Sequence, residues 1–267
     1  MGATRALGAE PYAADQVASE HVRPLTQPDG THRHLVLHDV SIPPPTVAAL
    51  FVETGGVYFD LPGVDPWDEA RDARLYDGPH PVVAHPPCSR WCRLAGLVEA
   101  RWGHKRGDDG GCFEAALNAV RTWGGVLEHP AYSDAWDAYG LPVPNRRGGW
   151  HSTLWDDGWS CHVEQGRYGH PAKKATWLYA VGCELPDLRW GSVPDGSSQA
   201  LVSWCGNHTS RFENRPRVGK AAAARTPQDF QDVLLSIARS LSLASCQRVM
   251  GFVHGCPGSA VKGRTVS

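Results

Sequence analysis

Val82-Val83-Ala84-His85-Pro86-Pro87-Cys88 is the stretch that decides the fold. Val82 to Ala84 is a short apolar run with the character of a buried strand. Two prolines cannot continue a central strand, because each lacks the N–H that the ladder needs, so the chain must turn out of a sheet here. Residues 90–111 are polar and contain glycine, which predicts a loop. Residues 112–123 then carry Phe113, Ala116, Leu117, Val120 and Trp123 at helical spacing, and Gly124-Gly125 closes that helix. Residues 125–127 start a second short strand, which ends at Glu128-His129-Pro130. Strand, loop, helix, strand is a βαβ unit, with parallel strands and a right-handed crossover. The fold class is therefore α/β, with a mostly parallel sheet and a terminal antiparallel strand. Reactive groups in such sheets collect at the carboxyl ends of the strands. Cys88 and Glu128 both follow the ends of adjacent predicted strands, on one edge and within reach of one ligand.

Working outward, residues 1–33 are rich in Ala, Gly, Pro and charge without a period and read as a flexible leader. Residues 35–40 predict a short strand, broken by the prolines of residues 41–45. Residues 46–59 read as strand, turn, strand, a hairpin turning at Gly55-Gly56. Residues 65–76 suit a short helix or a loop. On the other side, residues 137–159 read as an irregular, substrate-facing region. Residues 161–165 and 176–181 predict two strands, and the loop between them carries Arg167, His170, Lys173 and Lys174. Thr226-Pro227 opens an amphipathic helix, with Thr226 as N-cap and Phe230, Val233, Leu234, Ile237, Ala238 and Leu241 as its apolar stripe. Residues 34–245 form one expected domain, and residues 246–267 an expected flexible tail.

A chain of 267 residues can bury one substantial core. Its net charge of -2 does not announce a nucleic-acid binder and does not exclude one, because binding depends on where the charge sits. No apolar run approaches the roughly eighteen residues of a membrane span, and no signal peptide is visible. The eight cysteines are scattered and read as reduced thiols, which makes a cytoplasmic location the expectation.

Three pieces in order carry a resemblance. They are His85-Pro86-Pro87-Cys88, then Leu127-Glu128-His129-Pro130, then Gln165-Gly166-Arg167 leading through His170 and Lys174 into the strand that follows. Together they resemble the Pro-Cys, Glu-Asn and Gln-x-Arg motifs of the C5-cytosine DNA methyltransferases, and more closely the shortened relatives from phages and mobile elements. The resemblance covers the central part of the chain, under half of it. It implies a Rossmann-like fold of methyltransferase type, DNA as partner (RNA or a nucleotide in the alternative) and S-adenosylmethionine as cofactor, with no metal. It implies Cys88 as nucleophile, Glu128 at the base, and Arg167 on the base carbonyl or a phosphate. His85, Pro87, Arg90, Gln165, His170 and Lys174 would line the substrate.

In the family, the cofactor lobe begins with a strand and a Phe-x-Gly-x-Gly turn. The nearest stretch here is Phe51-Val52-Glu53-Thr54-Gly55, where Glu53 replaces the first turn glycine. Phe51, Gly55, Asp65 and Asp68 are the cofactor-binding candidates. Only about thirty residues separate that turn from Cys88, roughly the length of one βαβ crossover, so the N-terminal half is expected to be reduced.

The chemistry is coherent. Cytosine C5 is a poor nucleophile, and a thiolate adding to C6 turns the ring into an enamine. The thiol needs nearby positive charge, for which Arg90, Arg93 and Arg167 are candidates. A carboxyl group at N3, ideally with a raised pKa, would offset the charge that develops. Plainer readings stand beside these. Cys88 could be a core thiol, Glu128 a salt-bridged turn residue, Arg167 a surface arginine, and His85 and His129 turn caps. His170, Lys173 and Lys174 could be a solvated basic loop. Cys88, Cys92, His104 and Cys112 could instead hold structural zinc. Asp108-Asp109 is most simply capping charge for the helix at 112–123. A base-modifying enzyme without S-adenosylmethionine and a non-catalytic nucleic-acid-binding protein are the functional alternatives.

Overall fold

The computed structural model describes residues 46–92, 95–193, 200–202 and 216–241. These lie in one compact unit that begins at Pro43. The leader expected at 1–33, the strand at 35–40 and the tail at 246–267 fall outside the described residues.

A seven-stranded sheet forms the centre, in the order β2-β1-β3-β4-β7-β6-β5. Its strands are β1 (Val47–Leu50), β2 (Val64–Trp67), β3 (Val82–Ala84), β4 (Gly125–Pro130), β5 (Trp150–Thr153), β6 (Asp156–Glu164) and β7 (Ala175–Val181). β2, β1, β3 and β4 are mutually parallel. β7 runs antiparallel to β4, β6 antiparallel to β7, and β5 antiparallel to β6. Antiparallel pairing thus takes in three strands on one side of the sheet, where a single terminal antiparallel strand was expected, because β5, β6 and β7 follow one another through short connections with no crossover helix. The mixed α/β class and the mostly parallel sheet match the reading from sequence.

β3 and β4 are adjacent, as the βαβ unit requires, and α2 (Cys112–Trp123) lies between them in the chain. Val82, Val83 and Ala84 have no exposed surface, which is why strands covered on both faces read as continuous apolar runs. α2 lays Phe113, Ala116, Leu117 and Val120 on one face, against Ala48, Leu50, Val82, Ala84 and Leu127. α5 (Gln228–Arg239) lays Phe230, Leu234, Ile237 and Ala238 on the other, against Val47, Ala49, Val83 and Val126. Truncating a fully buried ring such as Phe113 to Ala in such a core costs about 3–5 kcal/mol. Gly125 opens β4 with φ 124°, and a Cβ there would strike the carbonyl oxygen of Val82 at 2.0 Å. Only glycine lets β4 approach β3 at that point.

Several expectations are corrected. No hairpin turns at Gly55-Gly56: β1 is wholly buried between β2 and β3 and parallel to both, and residues 51–63 are successive turns. Residues 65–76 are neither one helix nor a plain loop. They contain most of β2, an edge strand that tolerates Pro66, and a single 3-10 turn (Ala73–Leu75) capped by Asp72. The loop expected at 90–111 contains α1 (Ala95–Trp102). The region expected to be irregular at 137–159 holds the end of α3 (Asp134–Ala138), β5 and the start of β6. α5 starts at Gln228, with Pro227 and not Thr226 at its cap position. β4 runs on to Pro130, so Glu128 lies inside the strand, opposite Leu178 of β7.

Candidate functional site

The chain passes from β1 to β2 on one side and then to β3 on the other, so its direction of winding reverses between β1 and β3. Crevices outside the carboxyl ends of strands at such a reversal are where open α/β sheets bind ligands. His85 leaves β3 at this point, its backbone N–H bonded to the carbonyl of Leu50 at the end of β1 (3.0 Å).

Pro86 and Pro87 carry the chain out of the sheet, and Cys88 begins a helical turn: its carbonyl accepts from the N–H groups of Trp91 and Cys92, both at 3.0 Å. The loop is pinned from behind. Trp91 is buried beside Phe113, and its indole N–H donates to Asp109 at 2.7 Å. Asp109 also accepts from the N–H of Phe113 (2.8 Å) and of Gly111 (3.0 Å), so it caps α2 as the sequence suggested. Pro87 and Ser89 are exposed, and Cys88 is half-buried. Burial first, then the charge of Glu128 and the neighbouring Cys92, push the Cys88 thiol up to about 11, while Lys174 draws it back in part. At neutral pH the thiol is protonated.

Glu128 is 8% exposed, and both of its oxygens are held. Oε2 lies 2.9 Å from Nδ1 of His85, and Oε1 accepts from Nε2 of Gln165 at 3.0 Å. Burial alone would raise this carboxyl. The hydrogen bond from His85 and the charges of Lys174, His85 and His129 overcome that and hold it well below the usual carboxylate range. The raised pKa expected from sequence is therefore replaced by a lowered one. The reason is an imidazole and an amide aimed at the carboxylate from either side.

Gln165 has no exposed surface and also donates to Thr176 Oγ1 (3.0 Å), so it braces Glu128 from behind. Tyr58, in the turns between β1 and β2, places its hydroxyl 2.8 Å from Nε2 of His85. A hydrogen-bonded chain thus runs from Tyr58 through His85, Glu128 and Gln165 to Thr176. Neither Tyr58 nor Thr176 was among the site residues expected from sequence, and Tyr58 stands in no motif.

Among the described residues, Lys174 is the lysine or arginine whose charge acts on the site. Its charge acts on both Cys88 and Glu128, and its amino group is placed by the carbonyls of Ala224 (3.0 Å) and Arg225 (3.3 Å), at the end of α4 (Lys220–Ala224). Arg167 sits in the 3-10 turn Gln165–Tyr168 and directs Nη1 to the carbonyl of Ser192 at 3.4 Å. Arg90 is half-buried, and Arg93 falls outside the described residues. Neither Arg167 nor Arg90 is among the leading charges that shift Cys88 or Glu128. His170 is 5% exposed and bridges Ala172 and the carbonyl of Ala222, which ties its loop to α4.

The residues expected at a cofactor gather near the carboxyl ends of β1 and β2, where the two carboxylates are already engaged. Phe51 ends β1 at φ 59°, a left-handed conformation uncommon for a side chain of its size, and packs toward the α2 face. Gly55 is an exposed turn glycine. Asp65 is engaged by Arg71 (2.6 Å) and by the indole N–H of Trp67 (2.8 Å). Asp68 is engaged by the hydroxyl of Thr54 (2.7 Å) and the N–H of Arg71 (3.1 Å). No helix follows β1, so no row of helix N-terminal amides faces an anionic group there. S-adenosylmethionine does not fit these four residues as a set.

The four residues of the zinc alternative do not converge either. Cys112 lies with Asp109, Arg74 and Asp72, His104 is exposed, and among the described residues no group of three or more His, Cys, Asp or Glu side chains could hold a metal ion.

No family model, curated protein or solved structure matches this chain. The functional reading therefore rests on the motifs and on the geometry alone.

Proposed function

We propose that this protein modifies a pyrimidine base, most simply cytosine in DNA, through covalent addition of Cys88. One observation carries the reading: a thiol and an ionised, doubly braced carboxylate share the carboxyl edge of two adjacent parallel strands, close enough for the carboxylate to shift the thiol. Glu128 keeps lone pairs beyond those taken by His85 and Gln165, and a carboxylate that accepts from the exocyclic amine is a direct way to recognise cytosine. Lys174 supplies the positive charge that favours the thiolate.

The step balances without any further group. The Cys88 proton leaves to solvent, the sulfur bonds to C6, and the electron pair of the C5=C6 bond passes to C5 as an enamine. C5 then takes an electrophile, of which a solvent proton is the simplest. Loss of a proton from C5 and breaking of the S–C6 bond restore the ring and the thiol. Methyl transfer would use the same enamine. The base must leave a duplex stack to reach this edge. Five basic residues and one acidic residue between Ser89 and Gly107, directly after the nucleophile, favour a polyanionic partner.

The test is release of tritium into water from oligonucleotides carrying 5-tritiated cytosine, with and without S-adenosylmethionine. The wild type releases it and Cys88→Ser does not. Equal release by the two proteins would remove Cys88 from the chemistry. A second reading is favoured by the protonated resting thiol: the chain binds nucleic acid without reacting. It predicts salt-dependent binding that is unchanged in Cys88→Ala, with no tritium release from either protein.

A further inference from the structure

Tyr58 is 4% exposed, and its hydroxyl meets His85 inside the protein. The partners of His85 determine where its hydrogen sits. An ionised carboxylate only accepts, so Nδ1, 2.9 Å from Glu128, must carry the hydrogen. In a neutral ring Nε2 is then an acceptor, and Tyr58, 2.8 Å away, must be the donor. The phenol is suited to that role. Burial first, then the charges of Glu128 and Asp232, push its ionisation far above its ordinary range, so it keeps its proton.

We propose that Tyr58 is a positioning residue: by donating to Nε2 it locks His85 in the Nδ1–H tautomer and so keeps Glu128 an ionised acceptor toward the bound ligand. Tyr58 belongs to the β1–β2 connection, the segment that the resemblance assigned to a cofactor. Here that segment reaches the site as a hydrogen-bond donor. Without the hydroxyl, Nε2 would lose the donor that holds it as an acceptor. The ring would then gain by moving its hydrogen to Nε2, which turns an Nδ1 lone pair toward the carboxylate and makes a protonated Glu128 the better partner. The other titratable groups at Glu128 are Lys174 and His129, with the Cys88 thiol alongside, and all of them remain in a Tyr58 variant. That this charge state serves a base rests on the proposed pyrimidine chemistry. The tautomer lock itself does not.

The experiment uses the full-length protein without substrate. Nitrogen-15 spectra of histidine-labelled wild type should show His85 protonated at Nδ1 and bare at Nε2. At a pH where the ring is neutral, Tyr58→Phe should populate the other tautomer and protonate part of the Glu128 carboxyl, read as a new carboxylic-acid C=O band in the infrared difference spectrum. In a His85→Gln background, where no tautomer exists, Tyr58→Phe should produce no such band. A merely structural role for Tyr58 would change the band in both backgrounds. An Nε2–H tautomer in the wild type, or a ring protonated at both nitrogens at neutral pH, overturns the proposal even if Tyr58→Phe does not fold, and so does an unchanged Nδ1–H tautomer in a folded Tyr58→Phe. Because no substrate is present, failure of the tritium assay leaves these outcomes readable.

Discussion

Gln165 donates to Glu128 across 3.0 Å from a position with no solvent exposure, and so joins the loop after β6 to the middle of the sheet's carboxyl edge. Gln165→Leu would keep the approximate volume and remove the donor. A buried carboxylate that loses one partner should destabilise the protein by about 1–3 kcal/mol. Urea unfolding measures it, and an unchanged midpoint at unchanged slope would show that the contact contributes nothing.

His129 sets the first acid-side loss of stability. It has no exposed surface, stands between Phe113 and Trp136, and is pushed down by burial from 6.5 to about 4, although Glu128 pulls the other way. The unfolded chain therefore binds its proton more readily. The contribution of His129 is complete above 6.5 and falls away as pH drops toward about 4. Glu128 acts in the same sense lower down: its folded pKa is depressed from 4.5, so its contribution is present above 4.5 and is lost as pH falls further. His129→Phe should flatten the upper part of this acid limb and Glu128→Gln the lower part, as read by thermal melts between pH 7 and 3. Parallel profiles for wild type and both variants would count against this assignment.

How far the site was legible in sequence depends on what places each residue. Cys88 and Glu128 could be found because prolines mark strand exits, and α2 because its spacing is regular. The parallel strand β1 was misread as half of a hairpin, since four buried residues offer no alternation to separate the two cases. Lys174 and Arg167 were indistinguishable as cations seven residues apart. Only the fold separates them: Lys174, tied to carbonyls at the end of α4 fifty residues further on, is among the charges that shift Cys88 and Glu128. Tyr58 was invisible for the same reason: its partner is 27 residues away.

Asp109 joins two elements, so its loss should exceed that of a simple cap. Removing a side-chain cap from a helix costs typically about 1 kcal/mol, and Asp109→Ala would also strip the buried indole of Trp91 of its acceptor. About 2–3 kcal/mol is expected in urea unfolding. Asp108→Ala, the neighbouring acid, should cost less than about 0.5 kcal/mol. Equal losses at the two positions would mean that the Trp91 contact adds nothing.

The last prediction sets Lys174 against Arg167. The Cys88 thiol titrates at about 11 because burial and Glu128 raise it and Lys174 lowers it in part. In a Cys92→Ser background, the pH midpoint of Cys88 alkylation should therefore fall in Glu128→Gln, rise in Lys174→Met and stay in place in Arg167→Met. The same order should hold for turnover if the thiolate is the nucleophile: Lys174→Met lowers the fraction ionised at neutral pH, whereas Arg167→Met leaves it unchanged. Tritium release at pH 7.5 beside the alkylation midpoint makes the comparison. A larger loss of release in Arg167→Met, with the thiol midpoint unmoved, would restore Arg167 as a direct contact to the base or its phosphate and remove Lys174 from the activation of the thiol.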